Sequence, residues 1–96
     1  MMKKIYMFSM DGCPHCSEMK TMLENSNIEH EVKDIDEHAD EYDWFIQLVD
    51  NNEYVPAFLC VEVDENESVK KHLAIAPDRD FDELEGALEI IKKFLK

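Results

Sequence analysis

The sequence predicts an α/β domain, a four-stranded mixed sheet with three helices on both faces, in the order strand, helix, strand, helix, strand, strand, helix (βαβαββα). Three observations predict it. Runs rich in β-branched and aromatic residues, Lys4 to Phe8 and Val55 to Val63, read as buried strands. Apolar residues recur at helical spacing after Pro14, around Phe45 and from Leu84 to Leu95. Two glycines and three prolines are too few for a many-turned all-β protein or a low-complexity chain. Ninety-six residues make one domain, 1–96, with no room for a second core.

Each element has a local reason. Asp11-Gly12 breaks the first strand, and Pro14 suits the first helical turn, where its missing N–H costs nothing. Cys16, Met19, Met22 and Leu23 share one face of the helix that follows, and Asn25-Ser26-Asn27 ends it. Glu29 to Ile35 alternates loosely and reads as a second strand. The acidic stretch Asp34 to Asp43 leads into Tyr42, Phe45, Ile46 and Val49, an amphipathic helix whose acidic start favours the helix dipole. Trp44 neighbours its core face and is expected to pack. Asn51-Asn52 closes it.

The run Val55 to Val63 is strongly apolar and so central, and Asp64 to Glu67 turns the chain. Val69 to Ile75 is weaker, and Lys70-Lys71 fits an edge. Asp80 and Glu83 have the spacing of a capping box ahead of the last helix. The first half is a βαβ unit, so its strands are expected to be parallel with a right-handed crossover. Cys13 then falls at the carboxyl end of a parallel strand, where open α/β sheets place their sites.

Composition excludes several functions. The chain carries 23 acidic against 10 basic residues, net −13 with histidine neutral. Nucleic acid is therefore not an expected partner, since phosphate binding needs clustered Lys and Arg. An anionic membrane surface is disfavoured for the same reason. The apolar part Ile5 to Phe8 is shorter than the roughly 7–15 residues of a signal-peptide core, so the chain reads as cytoplasmic. It is expected to act as a monomer.

The three cysteines are Cys13, Cys16 and Cys60. An odd number at uneven spacing is not a disulfide framework. Two cysteines separated by two residues are a redox pair or half of a metal site. A tetrahedral zinc site usually needs a second close pair, which Cys60 does not supply, and the histidines lack ligand spacing, so no metal is expected. A metal-binding module using Cys13 and Cys16 stays as the non-enzymatic alternative. Cys60 falls within an apolar strand and reads as core.

Thiolate, not thiol, is the nucleophile in disulfide exchange. A cysteine at a helix N-terminus meets the positive end of the dipole and unpaired N–H groups. Cys13 is placed there, with Cys16 one turn inside. Cys13 is thus the attacking nucleophile and Cys16 the resolving thiol. Pro14 stiffens the turn, and His15 can offer the Cys13 thiolate a hydrogen bond or, protonated, a positive charge. Asp11 and Glu18 oppose this, since like charge raises a thiol pKa. The helix terminus and His15 are expected to outweigh them and make Cys13 more acidic than a free thiol.

With Cys13-Pro14-His15-Cys16 after the strand Ile5 to Phe8, Val55-Pro56 before an apolar strand, and a closing helix, the chain resembles a glutaredoxin of the thioredoxin-fold superfamily essentially end to end. Glutaredoxins usually carry tyrosine where His15 stands, and Tyr54 replaces the threonine of their Thr-Val-Pro. The resemblance implies a thioredoxin-like fold and a dithiol–disulfide oxidoreductase that reduces protein disulfides or glutathione mixed disulfides. It implies no tightly bound cofactor, glutathione as co-substrate, and disulfide-containing client proteins, of which ribonucleotide reductase is natural to the family. It also implies a cis Val55–Pro56 bond facing the active cysteine. Val55 can then pair its backbone with an extended thiol substrate.

Two positions depart from the family. Met10 stands where glutathione-using members commonly carry lysine, and Arg79-Asp80 stands in place of a Gly-Gly pair. In the resemblance Asp82 meets the amino group of the γ-glutamyl unit, and Arg79 replaces the missing cation for its carboxylate. Met10 and Arg79-Asp80 also favour an alternative reductant, a flavoprotein thioredoxin reductase.

Overall fold

The computed structural model describes residues 2–96. Its elements are β1 (Met2–Ser9), α1 (Pro14–Asn25), β2 (Glu31–Asp34), α2 (Ala39–Leu48), β3 (Ala57–Val63), β4 (Val69–Ile75) and α3 (Leu84–Leu95). The strands lie in the order β2-β1-β3-β4. β1 runs parallel to β2, and β3 pairs antiparallel with both β1 and β4. The four-stranded mixed sheet and its three helices are those the sequence predicts.

Strand periodicity decides which helix each side of the sheet receives. Successive side chains of a strand point to opposite faces. In β1, Ile5 and Met7 therefore face one way and Phe8 the other. Ile5 and Met7 join Phe58, Cys60 and Ile75 in a core closed by Met19 and Leu23 of α1 and Ala87 and Ile91 of α3. Phe8 joins Ala57 and Ala76 in a second core closed by Tyr42 and Phe45 of α2, with Val49 just beyond it. The Phe8 and Phe45 rings stand 4.7 Å apart between centroids, a tilted pair of the kind that adds about 0.5–1.5 kcal/mol to plain burial. Cys60 is fully buried, and that burial pushes its thiol pKa up to about 12. No helix among the described residues is long and apolar enough to cross a membrane.

Four details differ from the sequence expectation. β2 begins at Glu31 rather than Glu29, because the chain is still turning after α1 ends at Asn25: Asn27 takes φ 57° and the Ile28 N–H donates back to the Leu23 carbonyl at 3.0 Å. β3 begins at Ala57 rather than Val55, since Pro56 has no N–H to give to a ladder. Asp80 does not cap α3. Its Oδ2 accepts instead from the Ala76 N–H at 2.8 Å and from Arg79 Nη1 at 3.0 Å, and Glu83 stands at the N-cap without a side-chain bond. Trp44 is not packed in the core: it is 53% exposed, because α2 turns Tyr42 and Phe45 inward and leaves Trp44 beside that face.

Candidate active site

β1 delivers the chain to a tight turn. The Cys13 N–H donates to the Met10 carbonyl at 3.2 Å, and Gly12 takes φ 78°, a backbone region costly for any residue with a Cβ. Cys13 is the N-cap of α1, with φ −90° and ψ 107°, and Pro14 occupies the first turn. In an N-cap the side chain accepts from a free N–H of the first turn. Here that acceptor is sulfur: the Cys16 N–H donates to Cys13 Sγ at 3.1 Å. The two cysteines are joined as a disulfide, with Cα atoms 5.3 Å apart. No acidic residue lies in the first turn of α1. Cys13 is half-buried and Cys16 is buried.

Two concavities flank the disulfide. Cys13, Pro14 and Cys16 line one of about 400 Å³ with Met10, Asp11, Lys20 and Asp34. His15 turns into the other, a groove of about 450 Å³ that it shares with Glu18, Tyr54, Val55, Pro56 and Asp82. The Val55–Pro56 bond is cis. Among the described residues, neither the N–H nor the C=O of Val55 takes part in a hydrogen bond. Tyr54 is 66% exposed at the rim.

The structure thus brings His15, Tyr54, Val55, Pro56 and Asp82 to one groove, and it leaves Arg79 out. The Arg79 guanidinium bonds Asp50 Oδ2 through Nε at 3.1 Å and Asp80 Oδ2 through Nη1 at 3.0 Å. It borders a neighbouring hollow with Asp50, Asn51 and Glu53. Its backbone follows a turn held by Asp80, which aims the side chain at the end of α2.

Sequence reasoning did not assign four contributors to the site. Asp78, Glu83 and Glu85 also line the groove, and the only hint of them was the acidic run around Asp82. Asn52 links the groove's two loops: its Oδ1 accepts from the Tyr54 N–H at 2.9 Å, and its Nδ2 donates to the Pro77 carbonyl at 2.7 Å. Nothing in the pattern of the sequence marks that role. A separate, mainly apolar cavity of about 480 Å³ lies against the sheet beside Trp44 and shares no residue with the other two. Among the described residues no group of three or more His, Cys, Asp or Glu side chains converges as a metal site would require.

A βαβαββα chain with a close cysteine pair at the first strand-to-helix passage defines a protein of the thioredoxin-like class. Within it the chain belongs to the glutaredoxin family, whose sequence model, described as Glutaredoxin, matches residues 5–58. Among solved structures, a point mutant of the thioredoxin-like protein BC3987 superposes with a TM-score of 0.59 at 19% identity, covering 97% of this chain and all of its own. Thioredoxin 1 of Thermosipho africanus gives a TM-score of 0.45 at 23% identity over 96% of this chain and 93% of its own. No curated protein sequence matches the chain.

Proposed function

We propose that the protein is a dithiol–disulfide oxidoreductase that reduces protein disulfides or glutathione mixed disulfides, with Cys13 as nucleophile and Cys16 as resolving thiol. One observation carries the reading: a helix-capping sulfur that accepts the N–H of the second cysteine, one turn on. The Cys13 thiolate attacks one sulfur of a client disulfide. That S–S bond breaks, the other client sulfur leaves as thiolate and takes up a proton, and a Cys13–client mixed disulfide remains. Cys16, having lost its proton, then attacks Cys13 Sγ and releases the second client thiolate. Two electrons have passed to the client, and the protein ends with the Cys13–Cys16 disulfide, the form described above.

His15 lies beside the attacking residue, and Tyr54, Val55, Pro56 and Asp82 form the bed for the client. The unpaired backbone of Val55 supports pairing with an extended substrate segment. The protein works as a cytoplasmic monomer without a tightly bound cofactor. Ribonucleotide reductase stands among the clients to be assayed. The reductant is glutathione or a flavoprotein thioredoxin reductase. The engaged Arg79 favours the second, because it leaves the groove without the cation that a glutathione carboxylate would meet.

Turnover of a glutathione mixed disulfide with glutathione and its reductase, run beside a thioredoxin-reductase assay, tests the pairing. The Cys16→Ser variant tests the mechanism. It should still remove glutathione from a mixed disulfide but fail to reduce protein disulfides. Loss of both activities, or of neither, contradicts the assigned roles.

A further inference from the structure

We infer that the groove beside the redox pair receives an extended client segment carrying lysine or arginine next to its cysteine. The inference rests on the proposed redox reading and names the class of substrate it serves. The groove is a concavity of about 450 Å³ with walls from three places: α1 (His15, Glu18), the Tyr54-Val55-Pro56 loop, and the approach and start of α3. Its floor offers a polypeptide the free N–H and C=O of Val55, and its rim offers the exposed ring of Tyr54. An aromatic face attracts a guanidinium or ammonium group.

Charge decides what kind of segment fits. Five carboxylates line the groove, from Glu18, Asp78, Asp82, Glu83 and Glu85, and His15 is its only basic side chain. Among the described residues none of the five forms an ion pair or accepts a side-chain hydrogen bond, whereas Asp50, Asp64 and Asp80 all have partners. The nearby Arg79 is neutralised by Asp50 and Asp80 and adds no positive field. Like charges held together in one concavity raise its negative potential, and a cationic occupant both relieves that repulsion and is steered inward. Glutathione, with two carboxylates and one ammonium, gains nothing from such a field.

The test uses a set of cyclic peptides, each closed by one disulfide and differing only in the flanking residues: Lys and Arg, Ser and Gln, or Glu. The fully reduced protein is mixed with each, and the rate of reduction is divided by the rate with dithiothreitol, which removes the peptide's intrinsic reactivity. At about 0.02 M salt the basic peptide should be reduced about tenfold or more faster than the acidic one, the lower end of electrostatic steering. At about 0.5 M salt, where screening is short-ranged, the ratio should approach one.

The double variant Glu18→Gln/Glu85→Gln should narrow the low-salt ratio severalfold. An equal loss of charge elsewhere, Glu24→Gln/Glu29→Gln, should not. Equal rates for all peptides, a preference for the acidic one, or equal narrowing by both double variants overturns the inference while the redox reading stands. Should no peptide be reduced faster than by a Cys13→Ser control, the redox reading itself fails and this inference falls with it.

Discussion

The Cys16 N–H points at Cys13 Sγ across 3.1 Å, so one cysteine of the pair donates through its backbone to the sulfur of the other. Under the proposed mechanism the same N–H is the donor a Cys13 thiolate would meet. A hydrogen bond to the charged form of a group lowers its pKa, and the helix N-terminus adds in the same direction.

Cys13 is therefore expected to ionise below the roughly 8.5 of a free thiol. The rate of iodoacetamide alkylation against pH, measured on Cys16→Ser, reads this directly. Cys60 will not confuse the measurement, since burial holds its thiol at about 12 and it should label only after unfolding. A midpoint at about 8.5 or higher contradicts the helix-terminus account.

The β3–β4 turn carries a pH dependence of definite sign. The Ser68 N–H, the Asn66 N–H and the Lys70 ammonium hold the Asp64 carboxyl below the usual carboxylate range. Its folded pKa is depressed, so the contribution to stability is present above the unfolded value of about 3.9 and is lost as pH falls through the lower, folded value. Denaturation of wild type and Asp64→Asn across pH checks this. The wild type should lead near neutrality, and the gap should close only at acid pH. A gap that does not change with pH rules out the charge as its source.

The sequence was most legible where one force acts alone. Strand and helix periodicity placed Phe8, Phe45, Cys60 and Ile91 in the core, and all four are buried. The Cys13-Pro14-His15-Cys16 run was readable because the N-cap, the proline and the sulfur spacing all depend on neighbours in the chain. The partners of Asp80 and Arg79 were not legible, for the opposite reason. The spacing from Asp80 to Glu83 suits a cap, but the Ala76 N–H competed for the same carboxylate and took it. Arg79 met Asp50, 29 residues away in the chain, a pairing that no local pattern encodes.

Adjacent residues of α2 should differ sharply in what they contribute. Phe45 is fully buried against Phe8, and Phe45→Ala should cost about 3–5 kcal/mol, as large aromatic deletions in cores do. Trp44 is half in solvent, and Trp44→Ala should cost no more than about 1 kcal/mol. Urea unfolding of the two variants settles the contrast. Comparable losses would mean that Trp44 is covered in solution.

Asn52 is a positioning residue for the groove. It ties the Tyr54-Val55-Pro56 loop to Pro77 with two hydrogen bonds, one accepted and one donated, so its removal should act on binding more than on the sulfur chemistry. Asn52→Ala strands the Tyr54 N–H and the Pro77 carbonyl, and is expected to destabilise the fold by about 1–3 kcal/mol. It should also raise the KM for a peptide disulfide severalfold, with the alkylation profile of Cys13 unmoved. Asn52→Asp keeps the acceptor for Tyr54 but sets an oxygen against the Pro77 carbonyl, so it should restore little. A merely structural role would lower the apparent kcat in proportion to the unfolded fraction and leave KM unchanged. A change in KM alone, persisting at temperatures where both variants are fully folded, separates the two.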